Sequence, residues 1–516
     1  MKYKNPILPG MHPDPSVCRV GEDYFLVNSS FEYFPGIPVF HSRDLLHWEQ
    51  LGHCIERTEQ LTLRKGFPGA TGTYAPTIRY HEGTFYVVCT NVAYGGETDG
   101  NFFVWTKDPF QKNAWSDPVR LETPGIDPSF YFEGEHAYYT GAAESKIFLC
   151  EIDIKTGKYI KEPVFIWNGT GGNDPEGPHL YKKDDWYYLM ISEGGTELGH
   201  MVTIARSHNI YGPYEPDEKN PILTNRSTAA EIKAAGHADI FEDHFGNYHA
   251  VCLGTRSISY PFKHNLGRET MLLPVIWEKG AFPVLGTEGR LETEYDAPSF
   301  SDSEWLEGVP KQLLACTGKF YDDFSSEDLN PCWNFIYEPA DFTCQAKKEE
   351  HAGLLLKSNG HKLCEDQGTA FLGHRQEHHE FEAETKVSFS PMNTGDETGL
   401  TIYLNHRHHY EIALQKTENK TVLLFRRQIG TLVSEIQKKC VIPEDGITLK
   451  LSGTKEKYSF SYSMDGINFQ LLGEGEAAYL TTEVGGMFTG NYIGLYTAGK
   501  EECTSLFHYF KYSQTL

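Results

Sequence analysis

Two aspartates, a glutamate and a histidine stand at equivalent places in a short frame that recurs five times along the first half of the chain. The copies read HPDPSVCRVGEDYF, TYAPTIRYHEGTFY, GIDPSFYFEGEHAY, DPEGPHLYKKDDWYY and GHADIFEDHFGNYH. Aligned on Pro15, Pro76, Pro128, Pro178 and Ala238, each has an apolar residue two places on (Val17, Ile78, Phe130, Leu180, Ile240) and an aromatic ten places on (Phe25, Tyr86, Tyr138, Tyr188, Tyr248). Those shared positions serve packing. Just before the frame the residues differ: Asp14, Ala75, Asp127, Glu176 with Gly177, and His237. No packing rule asks for acids there. Gathered at one point, they would form a costly like-charge cluster unless it is used, and carboxyl groups driven to different pKa values suit proton transfer.

A closed ring of blades would gather them. Successive copies are 61, 52, 50 and 60 residues apart, enough for about four short strands with turns, the size of one propeller blade. Each frame is followed by a second hairpin-like segment, such as HSRDLLHWEQLG or EIDIKTGKYIKEP, that fits the outer strands of a blade. No amphipathic helical pattern competes. In a five-bladed β-propeller the innermost strands run along the axis, so the five variable positions meet at one mouth of the channel.

The pattern changes near residues 300–320, where a polar link gives way to FYDDFSSEDLNPCW. Beyond it, clean alternation such as Phe381, Ala383, Thr385, Val387 and Phe389 predicts a two-sheet β-sandwich. The expected organisation is all-β: a propeller over residues 1–305, a linker over 306–319 and a concanavalin-like β-sandwich over 320–516. The run His406, His408 and His409 suggests metal, but such spacing on a strand points to different faces, so polar surface is the expectation.

Composition sets outer bounds. At 516 residues with 39% hydrophobic and 13% aromatic content, the chain is a multi-domain globular protein. A formal net charge of −25 argues against nucleic acid or an anionic membrane as partner. The opening MKYKNPILPGMHPDPS lacks the apolar run of a signal peptide, which predicts a cytoplasmic protein. Eleven cysteines without CxxC or tight pairing predict buried free thiols rather than zinc or disulfides.

Taken together, NPILPGMHPDPS, FEYFPGIPVFHSRDLLHW, TYAPTIRYHEGTFY, GIDPS, EGPHLYKK, AGHADI and LGRET resemble glycoside hydrolase family 43, in its two-domain β-xylosidase and α-L-arabinofuranosidase branch. The resemblance covers essentially the whole chain. It implies a five-bladed propeller with a C-terminal sandwich, acting with inversion on non-reducing ends of short xylo-oligosaccharides or arabinosides. Asp14 resembles the general base, Asp127 the carboxylate that orients and tunes the acid, and Glu176 the general acid. His237 and Arg268 match the family's axial histidine and sugar-binding arginine. Tyr74 departs from the tryptophan common before the AP pair, which bears on the sugar-facing wall. Within SSFEYFPG, Phe31 is the better candidate to stack on a pyranose. Met487, Phe488 and Asn491 in GGMFTGNYIG resemble the loop by which the second domain closes the pocket.

No cofactor is expected, though an axial cation such as Ca²⁺ remains open, as does a homo-oligomer; the sequence offers no dedicated Ca²⁺ loop. α-L-Arabinofuranosidase as the main activity and a non-catalytic sugar-binding propeller are the alternatives. A retaining β-fructosidase shares the architecture, but no NDPNG-type or RDP element is present.

Overall fold

The structure is a computed structural model that describes residues 2–63, 71–96, 98–301, 303–345, 352–439, 441–443, 445–486 and 488–515. Five antiparallel sheets of four or five strands follow one another along the chain. Their axial strands are Ser16–Val20, Thr77–His81, Ile126–Glu133, Glu176–Lys183 and Ile232–Glu242. Each packs on the next, and the fifth returns to the first, so the ring is closed. The apolar frame residues Val17, Ile78, Phe130, Leu180 and Ile240 are all buried between blades, which is why the frame repeats. The aromatic position is less uniform: Phe25 and Tyr188 are buried, whereas Tyr86, Tyr138 and Tyr248 are half-buried at blade edges.

One residue beyond each aligned position comes a polar side chain: Ser16, Thr77, Ser129, His179 and Asp239, all buried. Four of the five join one axial network. Asp239, fully buried, accepts from Ser16 Oγ at 2.6 Å and from Tyr181 Oη at 2.9 Å. Arg79 grips the same carboxylate with both terminal nitrogens, at 2.8 and 3.1 Å. Its Nη2 also donates to His179 Nδ1 at 2.9 Å, which lies 3.2 Å from Ser129 Oγ. Burial holds the His179 pKa down at about 3, so the ring is neutral and free to accept from the guanidinium. All five blades thus meet around one ion pair.

The second domain is a sandwich of an eight-stranded and a six-stranded antiparallel sheet. Strand Phe381–Ser390 alternates buried and half-buried as expected, with Phe381, Ala383 and Val387 facing the core. Helix is nearly absent among the described residues: one four-residue α-helix, Thr482–Gly485, and three short 3₁₀ segments. The two domains share backbone pairing, Phe335–Ile336 lying antiparallel to Tyr33–Phe34, and Tyr33 stacks on Tyr492 at 3.9 Å.

The histidine run corrects the sequence reading. His408 and His409 lie on strand His408–Lys416 and are buried, not surface-polar. This strand is interior to the six-stranded sheet and covered on both faces, so alternation no longer separates inside from outside. Of the cysteines, Cys440 lies outside the described residues; the other ten are free thiols, and Cys364 alone among them is exposed.

The axial pair yields a stability prediction. Burial pushes the Asp239 pKa up, but Arg79 and Ser16 outweigh it and hold it at about 2. With an unfolded value near ~3.9, its contribution is present above that pH and fades as pH falls toward 2. Asp239→Ala strands the Arg79 charge in a buried site and should cost about 3–5 kcal/mol at neutral pH. Thermal melting of the variant beside wild type checks this, and an unchanged Tm would show that the axis does not hold the ring.

Candidate active site

The frame entrances share a backbone device. Asp14 and Asp127 (φ 54° each), Gly177 (φ 57°) and His237 (φ 47°) all adopt the left-handed conformation. For a residue with a side chain this costs about 1–3 kcal/mol, and aspartate tolerates it better than most. Strand pairing is irregular at the same points, between Ile126 and Ser129, Glu176 and His179, and Gly236 and Asp239. Such bulges turn side chains out of the sheet alternation and toward the mouth. In the fourth blade the special position falls to glycine, because a Cβ at residue 177 would come within 3.0 Å of the His237 ring. The acid is therefore displaced by one residue, to Glu176.

These entrances converge. Ligand-bearing atoms of Asp127, Glu176 and His237 lie within 4.8 Å of one another. Asp14 is buried and accepts from Ser29 Oγ and, at 2.8 Å, from Arg268 Nη1; His237 Nδ1 is 3.9 Å away. Burial raises the Asp14 pKa, but Arg268, His237 and Ser29 together outweigh burial and leave it below the usual carboxylate value. Asp127 Oδ2 accepts from the Gly177 amide at 3.1 Å, which fixes the backbone beside Glu176. Burial, and then the charge of Asp127 and of Asp14, drives the Glu176 pKa well above its ordinary value, with Arg268 opposing. Asp127 is also raised, chiefly by burial. As pH rises, Asp14 ionises first and Glu176 keeps its proton, so the mouth offers one bare carboxylate and one carboxylic acid.

Around them stands an aromatic wall. Phe31 stacks on Phe488 with centroids 5.7 Å apart and lies 5.3 Å from Tyr74, while Tyr74 meets Phe488 edge-on at 5.9 Å. The Arg268 guanidinium sits over both Phe31 and Phe488, at 5.5 and 5.6 Å. A pocket of about 400 Å³ is lined by eight of the residues singled out in the sequence: Asp14, Phe31, Tyr74, Asp127, Glu176, His237, Arg268 and Phe488. A second cleft of about 750 Å³ adjoins it and shares Ile126, Glu176, Thr196 and Phe488, so Glu176 lies on the boundary between the two.

Sequence reasoning missed Ser29 and Thr196, which donates no charge but receives Arg268 Nη1 at 3.0 Å. Both are small loop hydroxyls with no periodic signal. Met487 lies outside the described residues, and Asn491 is fully buried behind the pocket rather than on its wall.

Asp127, Glu176 and His237 form the group of donor residues, among those described, that could hold a metal ion. A cation there would strip the proton from Glu176 and occupy the carboxylates, while the neighbouring Arg268 already supplies positive charge to the mouth. The donor set fits proton transfer better than ligation.

Residues 3–283 match the model of Glycosyl hydrolases family 43, and residues 321–513 match the Beta xylosidase C-terminal Concanavalin A-like domain. A non-reducing end alpha-L-arabinofuranosidase of Bacteroides ovatus is 36% identical over 506 residues, spanning 98% of this chain and 92% of that protein. A beta-xylosidase of Bacillus subtilis is 32% identical over 100% of both. Among solved structures, Bacteroides ovatus Xyloglucan PUL GH43B superposes with a TM-score of 0.91 at 34% identity over 100% of both chains. The xylan beta-1,4-xylosidase of Bacillus halodurans gives 0.88 at 30% identity, over 99% of this chain and 100% of that one.

Phe488 reaches this pocket from the sandwich, so its removal tests whether the second domain shapes the site. Phe488→Ala should lower kcat/KM roughly tenfold, the loss of about 1.4 kcal/mol of aromatic contact, with little change in Tm. Steady-state kinetics with a melting curve checks it; unchanged kinetics would remove Phe488 from the site.

Proposed function

This chain belongs to glycosyl hydrolases family 43 and is an inverting glycosidase; we propose that it releases single pentoses, xylose or arabinose, from the non-reducing ends of short oligosaccharides. One observation carries the reading: two carboxyl groups line one pocket in opposite surroundings, Asp14 bonded to Arg268 and Ser29 and Glu176 facing Asp127, which lowers the pKa of the first and raises that of the second. Paired groups of this kind are what inverting hydrolysis requires.

In this reading Asp14 is the general base. Kept ionised by Arg268, it takes a proton from water as that water attacks the anomeric carbon. Glu176 is the general acid and gives its proton to the departing glycosidic oxygen. Its place between the 400 Å³ pocket and the adjoining cleft supports this role, since the scissile oxygen must lie between the sugar held in one and the leaving group in the other. Asp127 tunes and orients the acid through its charge and its bond to the Gly177 amide. Phe31, Tyr74 and Phe488 supply flat apolar surface for a sugar face, and Arg268 and His237 supply donors. Closure by the sandwich favours attack at chain ends over attack within a polymer.

The pH dependence follows in sign. Asp14 must be ionised, so activity rises through its lowered pKa; Glu176 must be protonated, so activity falls only above its raised one. Asp14→Asn and Glu176→Gln should each reduce turnover of xylobiose or its arabinoside counterpart by ~10²–10⁴-fold with the fold intact. A good leaving group should restore Glu176→Gln in part and leave Asp14→Asn inactive. Near-wild-type turnover by either variant on the unactivated substrate would refute its role. Kinetics on paired nitrophenyl β-D-xyloside and α-L-arabinofuranoside then apportion the two activities. NMR of the first product from a β-xyloside should show α-xylose, and β-xylose first would contradict inversion.

A further inference from the structure

The sandwich touches the propeller beside two loops that matter most, one leading to Asp14 and one to Arg268. On the first, Arg375 donates from Nε to the Met11 carbonyl at 2.8 Å. Gly10, at φ 82°, approaches so closely that a Cβ there would lie 2.8 Å from the Gln376 carbonyl oxygen. On the second, the Asn491 amide donates to the Asn265 carbonyl at 3.0 Å, and the Thr482 amide to the His264 carbonyl at 3.1 Å. The Asn265 side chain donates to the Tyr458 hydroxyl at 2.6 Å, the Asn491 side chain donates to the same hydroxyl at 3.0 Å, and that hydroxyl donates onward to Gln376 Oε1 at 2.8 Å. Tyr458, Asn265, Asn491 and Gln376 are all fully buried.

A hydroxyl that accepts twice and donates once has no bonding capacity left. Its removal would take the acceptor from the Asn265 amide and the donor from Gln376 Oε1 in a site closed to water, while the Asn491 amide keeps the Leu480 carbonyl at 3.1 Å; the surrounding backbone relieves that penalty by moving. Asn265 is three residues from Arg268, and Met11 three from Asp14. Movement at this seam therefore reaches the 2.8 Å contact between Arg268 and Asp14.

We propose that Tyr458 and Arg375 of the sandwich domain are positioning residues for the Asp14–Arg268 pair, holding two propeller loops in register from outside the propeller. The inference rests on the reading of Asp14 as general base. Charged and titratable groups facing Asp14 are Arg268, His237 and His200, with Asp127 and Glu176 across the mouth. Of these, Arg268 is the largest influence favouring the ionised form of Asp14, and it also opposes the rise at Glu176. Loosening it should move both limbs of the kcat/KM profile to higher pH. A loss of folding alone would scale the profile without moving it.

The test is kcat/KM against pH for full-length Tyr458→Phe and Arg375→Gln, with Tyr410→Phe as comparison. Tyr410 packs edge-on against Tyr458 with centroids 6.4 Å apart, but donates its hydroxyl to the Glu476 carbonyl of the sandwich and bonds to neither propeller loop. The two seam variants should lose roughly tenfold or more in kcat/KM near the acid limb and shift that limb upward by about half a pH unit or more. Tyr410→Phe should leave the limbs in place, and Arg375→Lys, which can still donate to Met11, should recover part of the loss. Should Tyr458→Phe fail to fold, the Arg375 pair decides the matter alone. Limbs that coincide with wild type in both seam variants would overturn the proposal. Asp14→Asn distinguishes the premises: if it stays active the base assignment fails, whereas an inactive Asp14→Asn beside unmoved seam profiles refutes only the positioning role.

Discussion

The buried pair of Arg79 and Asp239 is the constraint around which the propeller is built. Desolvating two charges is expensive, and the cost is offset only when every remaining lone pair and proton is satisfied with good geometry. Here that satisfaction comes from the other blades: Ser16 and Tyr181 on the carboxylate, His179 on the guanidinium, and Ser129 on His179. An axis assembled this way has one low-energy arrangement. The entrance residues stand two places before the axial ones, Asp14 before Ser16, Asp127 before Ser129, Gly177 before His179 and His237 before Asp239. Fixing the axis therefore fixes the mouth.

What the mouth then does depends on how unequally charge is shared. Asp14 is buried and has Arg268, Ser29 and His237 beside it, whereas Glu176 is half-buried and faces Asp127. Cationic and hydroxyl partners gathered on the Asp14 side of a cluster of acids, with burial and anions on the Glu176 side, drive two carboxyl groups in opposite directions. The Arg268 cation is itself held in place by Asp14 and Thr196 and by the faces of Phe31 and Phe488. Arg268 thus links the charged mouth and the aromatic wall, and in the proposed mechanism the second domain enters the chemistry through it as well as through Phe488.

Much of this was legible in the sequence, because a propeller writes its period directly: Pro15, Pro76, Pro128 and Pro178 recur with their apolar and aromatic companions. The convergence of Asp14, Asp127, Glu176 and His237 followed from that period, and Phe488 and Arg268 from family resemblance. The axial network was not legible, since Ser16, Ser129, His179 and Asp239 share polarity but no single side-chain type. Ser29 and Thr196 lie in loops where nothing repeats. Tyr458 and Asn265 are 193 residues apart in sequence, and no local pattern joins them. His408 and His409 misled because alternation reports burial only where one face of a sheet meets water.

Everything else turns on one pocket holding Asp14 ionised and Glu176 protonated at the pH where turnover is fastest. Neutron diffraction from a deuterium-exchanged crystal reads both states directly. The expected map shows deuterium on Glu176, and bare oxygens on Asp14 facing a fully deuterated Arg268. A deuteron on Asp14, or a bare Glu176, would contradict the assignment of base and acid.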